Sequence, residues 1–90
     1  MILRLFVYNS NLANKGVYAG NLNDISGNSN VLIVQRASNS CANAPETAFG
    51  IVETMYIDGN LYGIQRFTSL NLRSYIRKKS NGTWESWVEK

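Results

Sequence analysis

The chain contains no histidine, one cysteine (Cys41) and one proline (Pro45) in 90 residues, and each scarcity closes off a class of protein. Without histidine, a serine or cysteine nucleophile lacks its usual general base. A single cysteine cannot form an intrachain disulfide, so no disulfide scaffold holds the domain. No cluster of Cys or carboxylates resembles a metal site, and no cofactor or metal is expected. Acids are few: Asp24, Glu46, Glu53, Asp58, Glu85 and Glu89 show no paired spacing of the kind that marks a glycosidase. Long apolar runs are also missing. The run Met1 to Tyr8 is too short for a membrane span or a complete signal peptide, and it has no small-residue cleavage site. Nothing here directs secretion by the general route, and a protein released by cell lysis needs no such signal.

What is present is Asn, Ser and aromatic side chains. Asn and Ser favour turns over helix interiors, and aromatics suit strands. The ten aromatics run the length of the chain, and the net charge of +3 is mildly basic. This composition fits an extracellular β-rich protein. Ninety residues make one domain, near break-even when folding alone. With no disulfide or metal to help, association with other chains is the support that remains.

Met1 to Tyr8 reads as a strand or the end of a connector, Asn9 to Lys15 as a polar turn, and Gly16-Val17-Tyr18 as a short extended piece. Asn21 to Asn30 is a loop crowded with turn formers. Val31 to Val34 is a continuous apolar run, which predicts a central strand buried on both faces. Ala37 to Thr47 is a second loop, where Pro45 stops pairing. Beyond it the pattern becomes regular. Phe49, Ile51, Met55 and Ile57 share one strand face with Glu53 among them, and Asp58-Gly59-Asn60 turns the chain. Leu61, Gly63, Gln65 and Phe67 alternate with Tyr62, Ile64, Arg66 and Thr68. After a turn at Ser69 to Asn71, Ser74 and Ile76 alternate with Arg73, Tyr75 and Arg77. Asn81-Gly82 is the strongest hairpin signal, since both residues accept the positive φ of a type I′ turn. Thr83 to Val88 is the last strand. The fold class is therefore all-β, a small antiparallel sheet or sandwich built on a C-terminal β-meander, with residues 1–90 as one domain and 1–15 as a possible connector end.

Several side chains invite a functional reading. Glu53, on an apolar strand face, is either a perturbed acid or, the reading preferred here, a charge at the sheet edge or one paired with Arg66 or Arg73. The basic set Arg66, Arg73, Arg77, Lys78 and Lys79, interleaved with Tyr62, Phe67 and Tyr75, could meet nucleic acid or an anionic polysaccharide. It could equally be a solvated face that discourages edge aggregation. Trp84 and Trp87 could stack on sugar rings, but their three-residue spacing puts them on opposite faces of a regular strand, one core and one exposed, unless a bulge intervenes. Asn81-Gly82-Thr83 matches a glycosylation sequon, which turn geometry already explains. Cys41 is read as a free thiol.

In order, Gly16-Val17-Tyr18, Val31 to Val34, Asn43-Ala44-Pro45, Phe49-Gly50-Ile51-Val52, Gln65-Arg66-Phe67-Thr68, Tyr75-Ile76-Arg77 and Asn81-Gly82-Thr83-Trp84 with Trp87 resemble the pyocin-knob type of domain in tail fibres of phages and R-type pyocins. The resemblance spans about Gly16 to Trp87. It implies a small β domain on a homotrimeric, extracellular virion fibre, with no cofactor and no reaction. Such a domain is a spacer or a receptor-contacting tip, and its partners would be other tail-fibre proteins and, at a tip, a bacterial surface polysaccharide. The chain itself would then be an excised fragment or a stand-alone reading frame. On this reading Tyr62, Arg66, Arg73, Tyr75 and Arg77 form the candidate ligand face, and Asn81, Gly82, Thr83, Trp84 and Trp87 are mainly structural. A trimerising spacer without its own ligand site is the alternative, and nucleic-acid binding ranks below both.

Overall fold

A computed structural model describes residues 17–90; the expected Met1 to Tyr8 strand and Asn9 to Lys15 turn lie outside the described residues. Among the described residues, seven strands form one curled, mixed sheet. They are β1 (Val17–Tyr18), β2 (Leu32–Ala37), β3 (Gly50–Asp58), β4 (Tyr62–Ser69), β5 (Ser74–Ser80), β6 (Thr83–Trp84) and β7 (Val88–Glu89). Strands β2 to β5 run antiparallel in sequence order, and both β6 and β7 pair with β5. The C-terminal meander is thus as the alternation predicts. The parallel pairing of β1 with β2 makes the sheet mixed.

The turns follow from local chemistry. Leu61 N donates to Asp58 O at 3.0 Å around Gly59, whose φ is +55°. At the other end of the meander, Asn81 and Gly82 both have positive φ (50° and 87°) and close a two-residue hairpin between Ser80 and Thr83, as the Asn-Gly pair requires. The β4–β5 turn is less comfortable: Leu72 takes a φ of +64°, a conformation that costs a residue bearing a Cβ roughly 1–2 kcal/mol.

The core lies on one face of this sheet. Val52 from β3, Phe67 from β4, Tyr75 from β5 and Ala37 from β2 meet Leu22 and Ile25 from the loop between β1 and β2. That loop holds a 3₁₀ turn, Leu22–Asp24, whose first exposed N–H is capped by Asn21: its Oδ1 accepts from Asn23 N at 2.8 Å. Asn43 Nδ2 donates to the same oxygen at 2.8 Å, and Leu22 N donates to Ala42 O at 3.0 Å. The two polar loops are therefore tied together and serve as the second layer over the core. Leu22 and Ile25 are the apolar anchors of this lid.

Two expectations are corrected here. Val31 to Val34 is not buried on both faces: Val31 precedes the strand and is exposed, and only Val34 of the four is fully buried. Among the described residues no second sheet covers the other side of β2. Nor is the last strand continuous, because Glu85, Ser86 and Trp87 leave the ladder between β6 and β7.

Candidate binding surface

The two faces of the sheet differ in kind. On the inner face, the alternation of β4 places Gly63, Gln65 and Phe67 inward, opposite Tyr56, Thr54 and Val52 of β3. Gly63 must lack a side chain, since a Cβ there would stand 2.8 Å from Met55 O and 2.9 Å from the Tyr56 ring. Gln65 is fully buried and fully used. Its Nε2 donates to Leu22 O and to Thr54 Oγ1, both at 3.0 Å, and its Oε1 accepts from Arg77 Nε at 2.9 Å and Nη2 at 2.6 Å. Tyr56 completes the polar network by donating its hydroxyl to Ile25 O. Burial holds the Tyr56 phenol above its ordinary pKa.

Arg77 is the centre of this face. Its guanidinium carbon lies 4.6 Å from the Trp84 ring centroid and 4.4 Å from that of Trp87, an aromatic clamp of the type that stabilises desolvated cations. Burial pushes its pKa down to about 10. Trp84 also meets Tyr56, and Trp87 meets the edge of Phe67. Trp87 Nε1 donates to Asn43 O at 2.8 Å, which fastens the second loop to the C-terminal segment. The two tryptophans therefore flank one side chain on one face, against the opposite-face expectation. The irregular Glu85–Trp87 segment breaks the two-residue period on which that expectation rests.

The five residues of the candidate ligand face are divided by the sheet. Tyr62 and Arg66 point outward from β4, with Ile64 between them. Tyr75 and Arg77 point inward from β5, and Tyr75 is buried. The Tyr75 hydroxyl donates to Glu46 Oε1 at 2.9 Å, and Asn71 Nδ2 donates to Glu46 Oε2 at 2.8 Å. These contacts, the Asn71 bond first, hold the Glu46 carboxyl below its ordinary pKa. Arg73 lies at the turn, where its Nε and Nη2 make a bidentate pair with Glu89 at 2.9 and 3.0 Å. A single face carrying all five does not exist.

The outer face carries Ile51, Met55, Ile64, Ile76 and Val88, and cross-strand pairing puts Glu53 directly opposite Arg66 near its middle. Glu53 belongs to an interior strand, not to the sheet edge. Among the described residues the ion pairs are Arg73–Glu89 and Lys78–Glu85. Also among them, no group of three His, Cys, Asp or Glu side chains could hold a metal ion, and no helix is long and apolar enough to cross a membrane. Cys41 is a free thiol, as expected, donating to Tyr18 O at 3.3 Å, and burial raises its pKa.

No family model and no curated protein matches the sequence. Solved structures do match the fold. A C-terminal portion of the P. aeruginosa R1 pyocin fibre superposes with a TM-score of 0.66 at 21% identity, covering 84% of this chain and 21% of that one. An N-truncated R2-type pyocin tail fibre superposes with a TM-score of 0.65 at 22% identity, covering 84% of this chain and 32% of that one. The chain has the fold of a pyocin-fibre domain. It spans less than a third of either fibre fragment. The proteins matched are tail-fibre fragments.

Proposed function

We propose that residues 1–90 form a single non-catalytic module of a tail fibre, which assembles as a homotrimer and contributes to attachment at a bacterial surface. The observation that carries this reading is the inversion of the sheet. Polar Thr54, Gln65 and Arg77 are buried, while Ile51, Ile64 and Val88 on the opposite face remain exposed. An exposed sheet face that is largely apolar, with one acid and one base near its middle, marks an interaction surface. Its occupant in this reading is further copies of the same chain. Glu53 and Arg66 lie side by side within the patch, so copies related by rotation can present acid to base across the contact. A fibre displaying three copies gains avidity for a repetitive glycan through effective concentration. Such a module would work outside the cell, on the virion, next to other tail-fibre proteins.

Light scattering tests the assembly: the expected mass is three times the 10.1 kDa of one chain. Ile64→Asp should reduce it to a monomer that keeps the β-sheet circular dichroism signature. A parent protein that stays monomeric at high concentration would end the trimer reading. Attachment is tested by binding to bacterial cells or purified envelope polysaccharide. A trimer that binds neither favours the spacer alternative, whose support is that the apolar face explains assembly without any ligand. Nucleic-acid binding is less well supported, because Arg77 is buried and Arg73 is taken by Glu89.

A further inference from the structure

Asn81 is the only asparagine of the chain that precedes a glycine, and the hairpin turn does not exhaust the chemistry of that pair. An asparagine side-chain amide is open to attack by the main-chain nitrogen of the next residue. Glycine favours the attack most, because it brings no Cβ and its backbone reaches the cyclic geometry freely. Gly82 N bonds to Asn81 Cγ and gives its proton to water or hydroxide, the Cγ–Nδ2 bond breaks, and ammonia leaves. Water then opens the five-membered imide at either carbonyl. One opening gives aspartate. The other gives isoaspartate, whose main chain runs through Cβ and Cγ and is one carbon longer. The sum exchanges ammonia for water and needs no oxidant or reductant.

The fold exposes this pair and restrains its nucleophile. Asn81 and Gly82 are both exposed, so water reaches the side-chain amide. Gly82 N, however, donates to Leu61 O at 2.9 Å, and a main-chain proton held in such a bond is lost only when the contact opens. The acceptor is itself fixed in the β3–β4 turn. Leu61 N donates to Asp58 O at 3.0 Å, and Gly59 N donates to Ser29 Oγ at 2.7 Å. Two turns at the same end of the sheet are thus joined through one bond. What lies beyond Gly82 is short. Strand β6 is Thr83–Trp84 alone, paired with Ser80 and Lys79. One extra main-chain carbon at position 81 no longer fits a two-residue loop, so that register is lost. Trp84, whose ring centroid lies 4.6 Å from the Arg77 guanidinium carbon and 6.1 Å from the Tyr56 ring, then leaves the inner face and uncovers a buried cation.

We propose that Asn81 is a covalent modification site gated by the Leu61 carbonyl: opening of the contact between the two turns starts conversion to isoaspartate, and that product releases Trp84 from Arg77. A transient opening is thereby recorded in the covalent chain. Conversion to ordinary aspartate leaves the hairpin in place, because Asp-Gly suits a type I′ turn as well as Asn-Gly does. The inference rests on neither assembly nor attachment, since every group it uses belongs to one chain.

Incubation at mildly alkaline pH followed by peptide mass spectrometry, with enzymatic methylation to mark isoaspartate, reads the conversion. In the folded chain the rate should be about a tenth or less of that in a free peptide of residues 79–85, because only the open fraction reacts. In concentrated urea the chain should match the peptide. A folded chain that converts as fast as the peptide overturns the gate. Gly59→Val strains the β3–β4 turn at a φ of +55° without a steric clash, and it should speed both Gly82 amide hydrogen exchange and Asn81 conversion severalfold. A change in one of these rates without the other overturns the role of Leu61 O. The product is tested by NMR of the Trp84 indole N–H, assigned with Trp84→Phe. The purified isoaspartyl chain should show a displaced Trp84 signal and a lower melting temperature, whereas Asn81→Asp should keep both near the parent values. An isoaspartyl chain whose Trp84 signal coincides with that of Asn81→Asp overturns the release of Trp84.

Discussion

Strand β4 mixes polar and apolar side chains on both of its faces, burying Gln65 beside Phe67 and exposing Ile64 beside Arg66. Inward, Gln65 holds Arg77, Thr54 and the Leu22 carbonyl in one network beside Phe67. Outward, Ile64 is 46% exposed and Arg66 stands opposite Glu53. The inner face tolerates polar groups because each is tied to a loop or to the C-terminal segment, so the network also fastens the lid. The outer face has no lid to fasten. Burial in a small sheet is thus decided by which face the loops cover, and hydrophobicity alone does not reveal that choice.

The sharpest way to break this comparison is to truncate neighbours of opposite facing. Phe67→Ala should cost on the order of 3–5 kcal/mol and leave the domain largely unfolded, since Phe67 is 0% exposed in the core. Ile64→Ala, three positions earlier, should cost under about 1 kcal/mol in the isolated chain. Any larger loss at Ile64 should depend on protein concentration, the mark of an assembly contact. Urea titrations at two concentrations distinguish these cases. An Ile64 effect as large as that of Phe67 and independent of concentration would show that the outer face stabilises the isolated chain.

Gln65→Leu comes next. It keeps the approximate volume but removes the acceptor for two Arg77 donors and the donor to Leu22 O. The expected loss is about 3 kcal/mol, because hydrogen bonds to a charged group are replaced by an unsatisfied buried cation. Arg66→Leu on the outer face should change the stability of the isolated chain by less than about 0.5 kcal/mol. Equal effects from the two changes would mean that the inner network contributes no more than a solvated surface.

The sheet itself was legible from residues. The period-two alternation after Phe49, the Asp58-Gly59 turn and the Asn81-Gly82 hairpin each specify local geometry through φ preferences and facing, and β3 to β5 follow them. What alternation cannot supply is the identity of the covered face. Ile51, Met55 and Ile57 of β3, with Phe49 just before it, form the more apolar set, yet the buried set is Gly50, Val52, Thr54 and Tyr56. Loops Asn21 to Asn30 and Ala37 to Thr47 look like solvent-exposed polar stretches. Their role as a lid depends on Leu22 and Ile25 reaching residues more than twenty positions away, and no local pattern encodes that. The five candidate ligand-face residues are divided between the faces for a related reason. Tyr62 and Arg66 differ in parity of facing from Tyr75 and Arg77 once both strands are placed in register. The clamp of Trp84 and Trp87 on Arg77 was hidden because Glu85 and Ser86 leave the ladder, a departure without a glycine or proline to announce it.

Away from both faces, the β4–β5 turn should respond modestly. Leu72 is 93% exposed at a φ of +64°, so it gains little from burial while bearing the cost of a left-handed backbone. Leu72→Gly should raise stability by about 0.5–1 kcal/mol, the relief of strain being partly offset by the greater freedom of glycine in the unfolded chain. A fall in melting temperature would mean that Leu72 makes an apolar contact in the assembled protein.

The smallest expected effect is a pH dependence at the loop that covers the inner face. The Glu46 carboxyl, held below its ordinary value by Asn71, Ser69 and Tyr75, titrates lower in the folded chain than in the unfolded one. Its contribution is therefore fully present above the ordinary carboxylate pKa and disappears as the pH falls through the depressed folded value. Glu46→Gln removes the charge but keeps a similar shape, and it should lower the melting temperature slightly at pH 7. As the pH falls through the depressed folded value the gap between parent and variant should narrow, because both then present a neutral group to Asn71 and Tyr75. The Arg73–Glu89 pair weakens over the same range for the same reason, but it does so in both proteins and cancels from the difference. A gap that stays constant down to the acid limit of the folded state would assign the Glu46 effect to shape instead of charge. The tie between the inner face and its loop would then rest on Trp87 and Asn43 rather than on this carboxylate.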